Sequence, residues 1–347
     1  MEQIKSLSEI RHYLESLPIF VILDSQYSKN KNSSIAASKP VDAQYLELTQ
    51  RLGDILLNKM QENSRESVRD LPFTTLFSLA DMIIYSNVKS NGIYRQVMGP
   101  EYVSTYLPCH SLNVTFISCK IGMGMQFSFD ELTKLCVAAL LHDIGMTQIP
   151  SNLYESDEEL PPEKRKAIEN HSLLGYQFFE KLKNDFPWLL KVILETHKRE
   201  NNKGYPDLTH DDLHIYSKII GVADTFEALT HNRSFRKAYH PADAIKTIIS
   251  GKEDYFALNV LRAAIESLAI YPVGSLVQLN NKKIALVIDT IEGTPMRPIV
   301  ELINEEEWEN ASVDQKVINL SEENNLYITG LVYSDMYEAP DKIKKVQ

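Results

Sequence analysis

Eight of the nine histidines lie between His110 and His240, well under half of a 347-residue chain. Four fall in apolar stretches: His110 in LPCHSLNVTF, His142 in ALLHDIG, His171 in AIENHSLLGYQFF and His197 in VILETHKRE. Asp143 follows His142 directly, and Asp224 sits in IIGVADTFEAL. On a helix, His142 shares a face with Leu135, Ala138 and Ala139; His171 shares one with Ile168, Leu174, Gly175 and Phe178, and Asp224 one with Ile220 and Ala228. One such histidine is ordinarily a core residue bonded to a backbone carbonyl. Several helices that each turn an imidazole or a carboxylate inward are another matter, because desolvation and repulsion oppose the arrangement unless a cation sits where they meet. Imidazole with carboxylate and no thiolate suits iron or manganese, with zinc or nickel behind them.

The elements that would position these groups read as mainly α. From about 96 to 270 the apolar spacing is helical, broken by Pro-bearing loops at 150–162, 184–187 and 201–213, which predicts an all-helical bundle domain. Residues 1–95 read as a mostly helical regulatory or cap region. There LPIFVILDS is a candidate strand, and a mobile loop is expected near 28–40 in QYSKNKNSSIAASKP. No catalytic spacing occurs in it; a plain helical cap is the favoured reading, with a homodimer contact or a signalling partner as the alternative. After YPVG the pattern alternates, and SLVQLNNKKIALVIDT reads as a β-hairpin around NNKK. RPIVELI and NLYITGLVY read as further strands, so 271–347 is expected to be a small β-rich appendage.

A net charge of −11 argues against a chain that coats nucleic acid or anionic membrane, while leaving room for a small anionic ligand in its own pocket. Cys109, Cys119 and Cys136 form no C-x-x-C pair and no closed disulfide framework, which suits reduced core residues of a cytoplasmic protein. The opening MEQIKSLSEIRHYLESLPIFVIL places acids before its only apolar run, so neither a signal peptide nor a membrane span is expected.

The order of these residues resembles the HD superfamily of metal-dependent phosphohydrolases. HDIGMTQIP, ENHSLLGYQFF, THKRENNKGYP and VADTFEALTHNRSFRKAYHPADAI are similar to consecutive blocks of the HD-GYP family. The name of that family contains the triplet found here as Gly204-Tyr205-Pro206. The resemblance runs from about His110 to Ile270. It implies an all-helical domain with two or three metal ions and phosphodiesterase activity on cyclic di-GMP, giving linear pGpG and in some members GMP. It also implies His110, His142, Asp143, His171, His197 and Asp224 as metal ligands, with Asp143 bridging, and Arg233 and Arg236 as the pair that grips substrate phosphates. Two metals about 3.5–4 Å apart can hold a bridging hydroxide as the nucleophile at neutral pH, and an arginine offers phosphate a two-pronged fork. Gly204, Tyr205 and Pro206 are expected to line the pocket, with Tyr205 able to pack on a guanine.

Three positions depart from the fullest family pattern. Met146 stands where the family has lysine after HDIG, and Lys203 or Lys198 is the expected stand-in. The paired histidines before the GYP loop are represented by His197 alone, aligned either with Thr196 at the first place or with Lys198 at the second. Tyr106 stands where members with three metals carry glutamate. These losses predict a two-metal site, with iron or manganese as the expected cofactor. The competing readings are a degenerate sensor or scaffold that binds metal or dinucleotide without turnover, and an HD phosphohydrolase for another cyclic or linear nucleotide.

Overall fold

The computed structural model describes residues 47–54, 73–89, 97–102, 105–154, 161–207, 212–233, 236–250, 255–291, 293–303 and 317–332. The expected strand in LPIFVILDS and the loop near 28–40 lie outside these residues.

The helices are α1 (Phe73–Lys89), α2 (Tyr106–Gly124), α3 (Phe129–Leu141), α4 (Pro162–Glu169), α5 (His171–Phe179), α6 (Pro187–Glu195), α7 (Ile215–Thr230), α8 (Pro241–Ile249) and α9 (Leu258–Ser267). A 3-10 segment, Ile144–Gln148, carries the chain out of α3. Helix starts follow local chemistry. Ser128 and Glu131 form a reciprocal capping box at α3, proline stands at the first position of α4, α6 and α8, and the rings of His214 and His240 accept backbone N–H groups at the starts of α7 and α8.

Helix α2 is buried along nearly its whole length, as a helix in the middle of a bundle must be, and α1, α3, α7 and α9 pack around it. Leu48, Leu52, Leu76, Leu79, Ile83 and Ile84 join the same core as Phe116, Leu135, Ile193 and Phe226. The apolar faces of 47–54 and α1 therefore rest on the helices that carry the histidines and form no separate core of their own among the described residues.

The C-terminal strands are β1 (Leu276–Leu279), β2 (Ile284–Asp289), β3 (Ile299–Ile303), β4 (Val317–Asn319) and β5 (Ile328–Val332). They make one antiparallel sheet in the order β4-β3-β2-β1-β5. The hairpin expected around NNKK is the β1–β2 pair, with Leu276 opposite Leu286 and Lys282 at φ 68° in its turn. No strand is expected from the sequence at Val317–Asn319, whose three residues are too few to carry an alternation. Val277, Leu279, Ala285 and Val287 pack with Ala242 of α8 and Tyr271, and His240 bonds Ser275 across the seam at 3.0 Å.

Between α1 and α3, Asp81 accepts a hydrogen bond from Thr133 at 3.3 Å. Burial pushes its carboxyl up from 3.8 to about 6, with the Thr133 bond opposing in part. The folded protein thus holds this proton more tightly than the unfolded chain. Its contribution to stability is fully present below about pH 4 and is lost as pH rises through 6. Asp81→Asn should therefore be more stable than the wild type at pH 7, and the gap should close by pH 4. Urea unfolding at the two pH values checks this, and a gap that stays constant would count against it.

Candidate metal centre

His110 projects from the second turn of α2, and Asp224 from the middle of α7. The other ligand candidates sit at helix ends, where the sequence pattern had placed them on helix faces. His142 caps the C-terminus of α3, His171 opens α5, and His197 lies in the turn beyond α6. The reason is local hydrogen bonding. Nδ1 of His142 donates to the Ala139 carbonyl at 2.8 Å and Nδ1 of His171 to the Ile168 carbonyl at 2.7 Å, each three residues back. A helix terminus frees the carbonyl that each ring needs. Asp143, at φ −102° and ψ 17°, occupies the bridge region often used by active-site residues.

With their Nδ1 atoms engaged, His110, His142 and His171 turn Nε2 inward. Around Asp143 Oδ1 stand Nε2 of His142 at 3.3 Å, of His171 at 3.2 Å and of His197 at 3.2 Å. Nε2 of His110 lies 3.5 Å from Asp143 Oδ2 and 3.4 Å from Asp224 Oδ1. Nε2 of His171 and His197 face each other at 2.9 Å, and Nδ1 of His197 is 3.6 Å from Asp224 Oδ2. The donor atoms form two compact groups, His110–His142–Asp143 and Asp143–His171–His197, sharing Asp143.

This donor set fits divalent metal. Nε2 of His142 is buried without a hydrogen-bond partner, which is costly unless something else takes its lone pair. Each outward N–H bond fixes the tautomer and aims the lone pair, as ligand histidines require. Both aspartates are held ionised. Burial, the strongest influence, acts upward on Asp143, yet the imidazoles of His142 and His171, together with the close approach of the His110 and His171 rings, hold it well below the carboxylate range. Asp224 is likewise lowered to about 2 against burial, by its bond with His110 and by His197. Burial lowers the His197 ring to about 4, keeping its lone pair available.

Around this cluster the other expected residues divide. Arg233 lies over the Tyr106 ring at 4.7 Å and pairs with Glu227 at 3.3 Å, next to the His110 end of the site. Arg236 instead donates to the carbonyls of Ala228, Leu229 and Lys237 at 2.6, 3.1 and 2.7 Å and rests over Tyr239. Its fork is taken up by the C-terminal end of α7, so its contacts are those of a helix cap and differ from the expected phosphate grip. Tyr205 stacks on His197 with ring centroids 4.7 Å apart, and its ring edge meets His171. One face of the ring therefore supports a ligand candidate. Gly204, at φ 82°, closes the loop by bridging to Lys198, and a Cβ there would collide with the His197 carbonyl oxygen. Lys203 is exposed, Lys198 buried, and Met146 buried at the start of the site.

Sequence reasoning missed Glu227. This fully buried carboxylate accepts Nδ1–H of His110 at 2.7 Å. Its spacing of three from Asp224 placed it on the same helix face, which was the available signal.

Residues 104–260 match the HD domain family, and residues 276–339 match a KOW domain associated with HD domains. Cyclic di-GMP phosphodiesterase PdeB of Borreliella burgdorferi is 28% identical over 206 residues, 59% of this chain and 54% of its own. Cyclic di-GMP phosphodiesterase PA4108 of Pseudomonas aeruginosa is 24% identical over 57% of this chain and 48% of its own. The chain spans about half the length of these relatives. In structure, Bd1817, a HDG"Y"P protein from Bdellovibrio bacteriovorus, aligns with a TM-score of 0.53 at 16% identity, covering 67% of this chain and 73% of that one, and so shares the fold. Residues 104–260 are thus similar to the HD domains of these cyclic di-GMP phosphodiesterases and to an HD-GYP-type fold. The helical domain of this chain is followed by an antiparallel sheet, and its His/Asp cluster is one that could hold a metal ion. Among the described residues no helix is long and apolar enough to cross a membrane.

The two halves of the cluster are brought together at Gly145. A Cβ on Gly145 would collide with the His171 carbonyl oxygen and lie 2.7 Å from the Gly175 amide nitrogen. Both are backbone atoms that cannot swing aside. Gly145→Ala should therefore push α5 off Asp143, costing about 1–3 kcal/mol of stability and lowering metal content. Chemical denaturation and elemental analysis of the variant check this; full metal loading with unchanged stability would contradict the contact.

Proposed function

We propose that this chain hydrolyses cyclic di-GMP with two divalent transition metals, iron or manganese, giving linear pGpG and in a second cleavage GMP. The observation that carries the reading is the Asp143 carboxylate shared by two ligand groups, with an arginine fork at one end of them. His110, His142, Asp143, His171, His197 and Asp224 would hold the pair. When bound, such a pair supplies an activated water at neutral pH and neutralises charge on the phosphate undergoing displacement. Asp143 keeps its charge between the two halves and Asp224 keeps its own beside His110 and His197. Arg233 is the cation positioned to receive a substrate phosphate, already desolvated and braced by Tyr106, Tyr102 and Glu227. The half-buried Tyr205 ring, stacked on His197, holds the His197 ring in place.

A second reading is supported by Met146, which is buried where the family carries a lysine. Under it the chain binds metal and dinucleotide as a sensor without turnover. Incubating manganese- or iron-loaded protein anaerobically with cyclic di-GMP and separating the products distinguishes the two, because the sensor binds and releases no product.

Replacing His142 or Asp143 with alanine should remove metal and hydrolysis together while far-ultraviolet circular dichroism stays helical. Arg233→Ala should keep metal content but raise the KM for cyclic di-GMP roughly 10- to 150-fold, the worth of a charge-assisted hydrogen bond to phosphate. An Asp143→Ala protein that retains both ions and activity would place the site elsewhere. Three tightly held ions per wild-type chain would overturn the two-metal form of the proposal.

A further inference from the structure

Behind His110 lies a second polar cluster that the ligand set does not account for. Glu227, on α7 three residues past Asp224, is completely buried, and a carboxylate at that depth is tolerated only with its lone pairs taken. Four donors take them. Oε2 accepts from Nδ1 of His110 at 2.7 Å and from Nη2 of Arg233 at 3.3 Å. Oε1 accepts from the Tyr102 hydroxyl at 2.9 Å and from Nδ2 of Asn113 at 3.2 Å. One carboxylate therefore touches both a metal-ligand candidate and the arginine at the phosphate end.

Tyr102 belongs to the segment 97–102, just ahead of the HD-domain match that begins at 104. This segment is pinned to the arginine loop. The Asn232 amide donates to the Pro100 carbonyl at 2.8 Å, and Nδ2 of Asn232 to Glu101 at 2.6 Å. The Tyr102 ring stacks on His231 at 4.9 Å, and the Arg233 guanidinium lies over Tyr102 and Tyr106. His231 is itself tied in, accepting from Asn113 at 3.0 Å and donating to the Glu227 carbonyl at 3.1 Å. The anion is thus braced from α2, from the arginine loop and from a segment that precedes the domain.

We propose that Glu227 and Tyr102 are positioning residues: Glu227 aims Nε2 of His110 at the metal and holds the Arg233 fork, and Tyr102 holds Glu227. The Arg233 half rests on the phosphodiesterase reading above; the His110 half needs only metal. Neither side chain meets the reacting atoms. Their effect passes through an imidazole and a guanidinium, so loss of the charge should appear first in metal affinity and in KM.

The test uses the full chain as Glu227→Gln, Glu227→Asp and Tyr102→Phe. Manganese affinity is measured by calorimetry without substrate, kcat and KM with cyclic di-GMP, and thermal melting on metal-free protein. Glu227→Gln preserves shape and removes charge, and should weaken manganese binding about 10- to 100-fold and raise KM. Glu227→Asp, one methylene shorter but charged, should recover part of the affinity. Tyr102→Phe should raise KM about tenfold, the lower end of the worth of a hydrogen bond to a charged group, with kcat held. Glu227→Gln binding manganese as tightly as wild type would overturn the proposal, as would variants altered in melting alone. Because the calorimetric arm contains no nucleotide, it decides the His110 role even for a wild type inactive on cyclic di-GMP.

Discussion

The structure turns on the crowding of lone pairs around one carboxylate. Four imidazole nitrogens stand 3.2–3.5 Å from Asp143, and three of those rings have already committed their N–H to an outward partner. Such a collection of acceptors repels itself and has been stripped of water. A shared cation reverses the sign of every one of those contacts at once. The surrounding helices make sense as the frame for that exchange: α2 offers a ligand candidate from its second turn and α7 from its middle, and α3, α5 and the turn after α6 offer theirs from helix ends.

How much of this was legible in the sequence depends on where each residue lies. The ligand candidates stood out because imidazole and carboxylate are rare inside apolar runs, and the helical domain and hairpin were legible because their periods are sustained. The helix breaks at His142 and His171 were not. A histidine bonded to the carbonyl three residues back ends or begins a helix without glycine or proline to announce it. Glu227 escaped because a carboxylate in a helix normally reads as its solvated side, and only the meeting of α2 and α7 turns it inward. Arg236 was grouped with Arg233 by the family resemblance, yet its fork settled on the carbonyls of a helix end, a competition that a motif match does not report. Tyr102 carried no signal at all, since its partner is 125 residues away.

Beyond the centre, the core is shared more widely than the motif blocks suggest. Residues of 47–54 and α1 bury their apolar faces on the helices that carry the ligands. The sheet is fastened to α8 through Ala242 and the His240–Ser275 bond. Both flanking regions therefore contribute to the packing that holds α2 and α7 in register. The histidine-bearing segment would lack that support if excised alone.

The backbone contact at Gly145 has a mechanical corollary. Side-chain contacts relax by changing rotamer, but the abutment of the 144–148 segment on the first turn of α5 joins main chain to main chain, and main chain has no such freedom. The gap between the two halves of the cluster is accordingly gauged by the stiffest material the protein has. Substitutions in the surrounding apolar wall can be absorbed by repacking, whereas the spacing across that abutment behaves as a rigid dimension of the molecule.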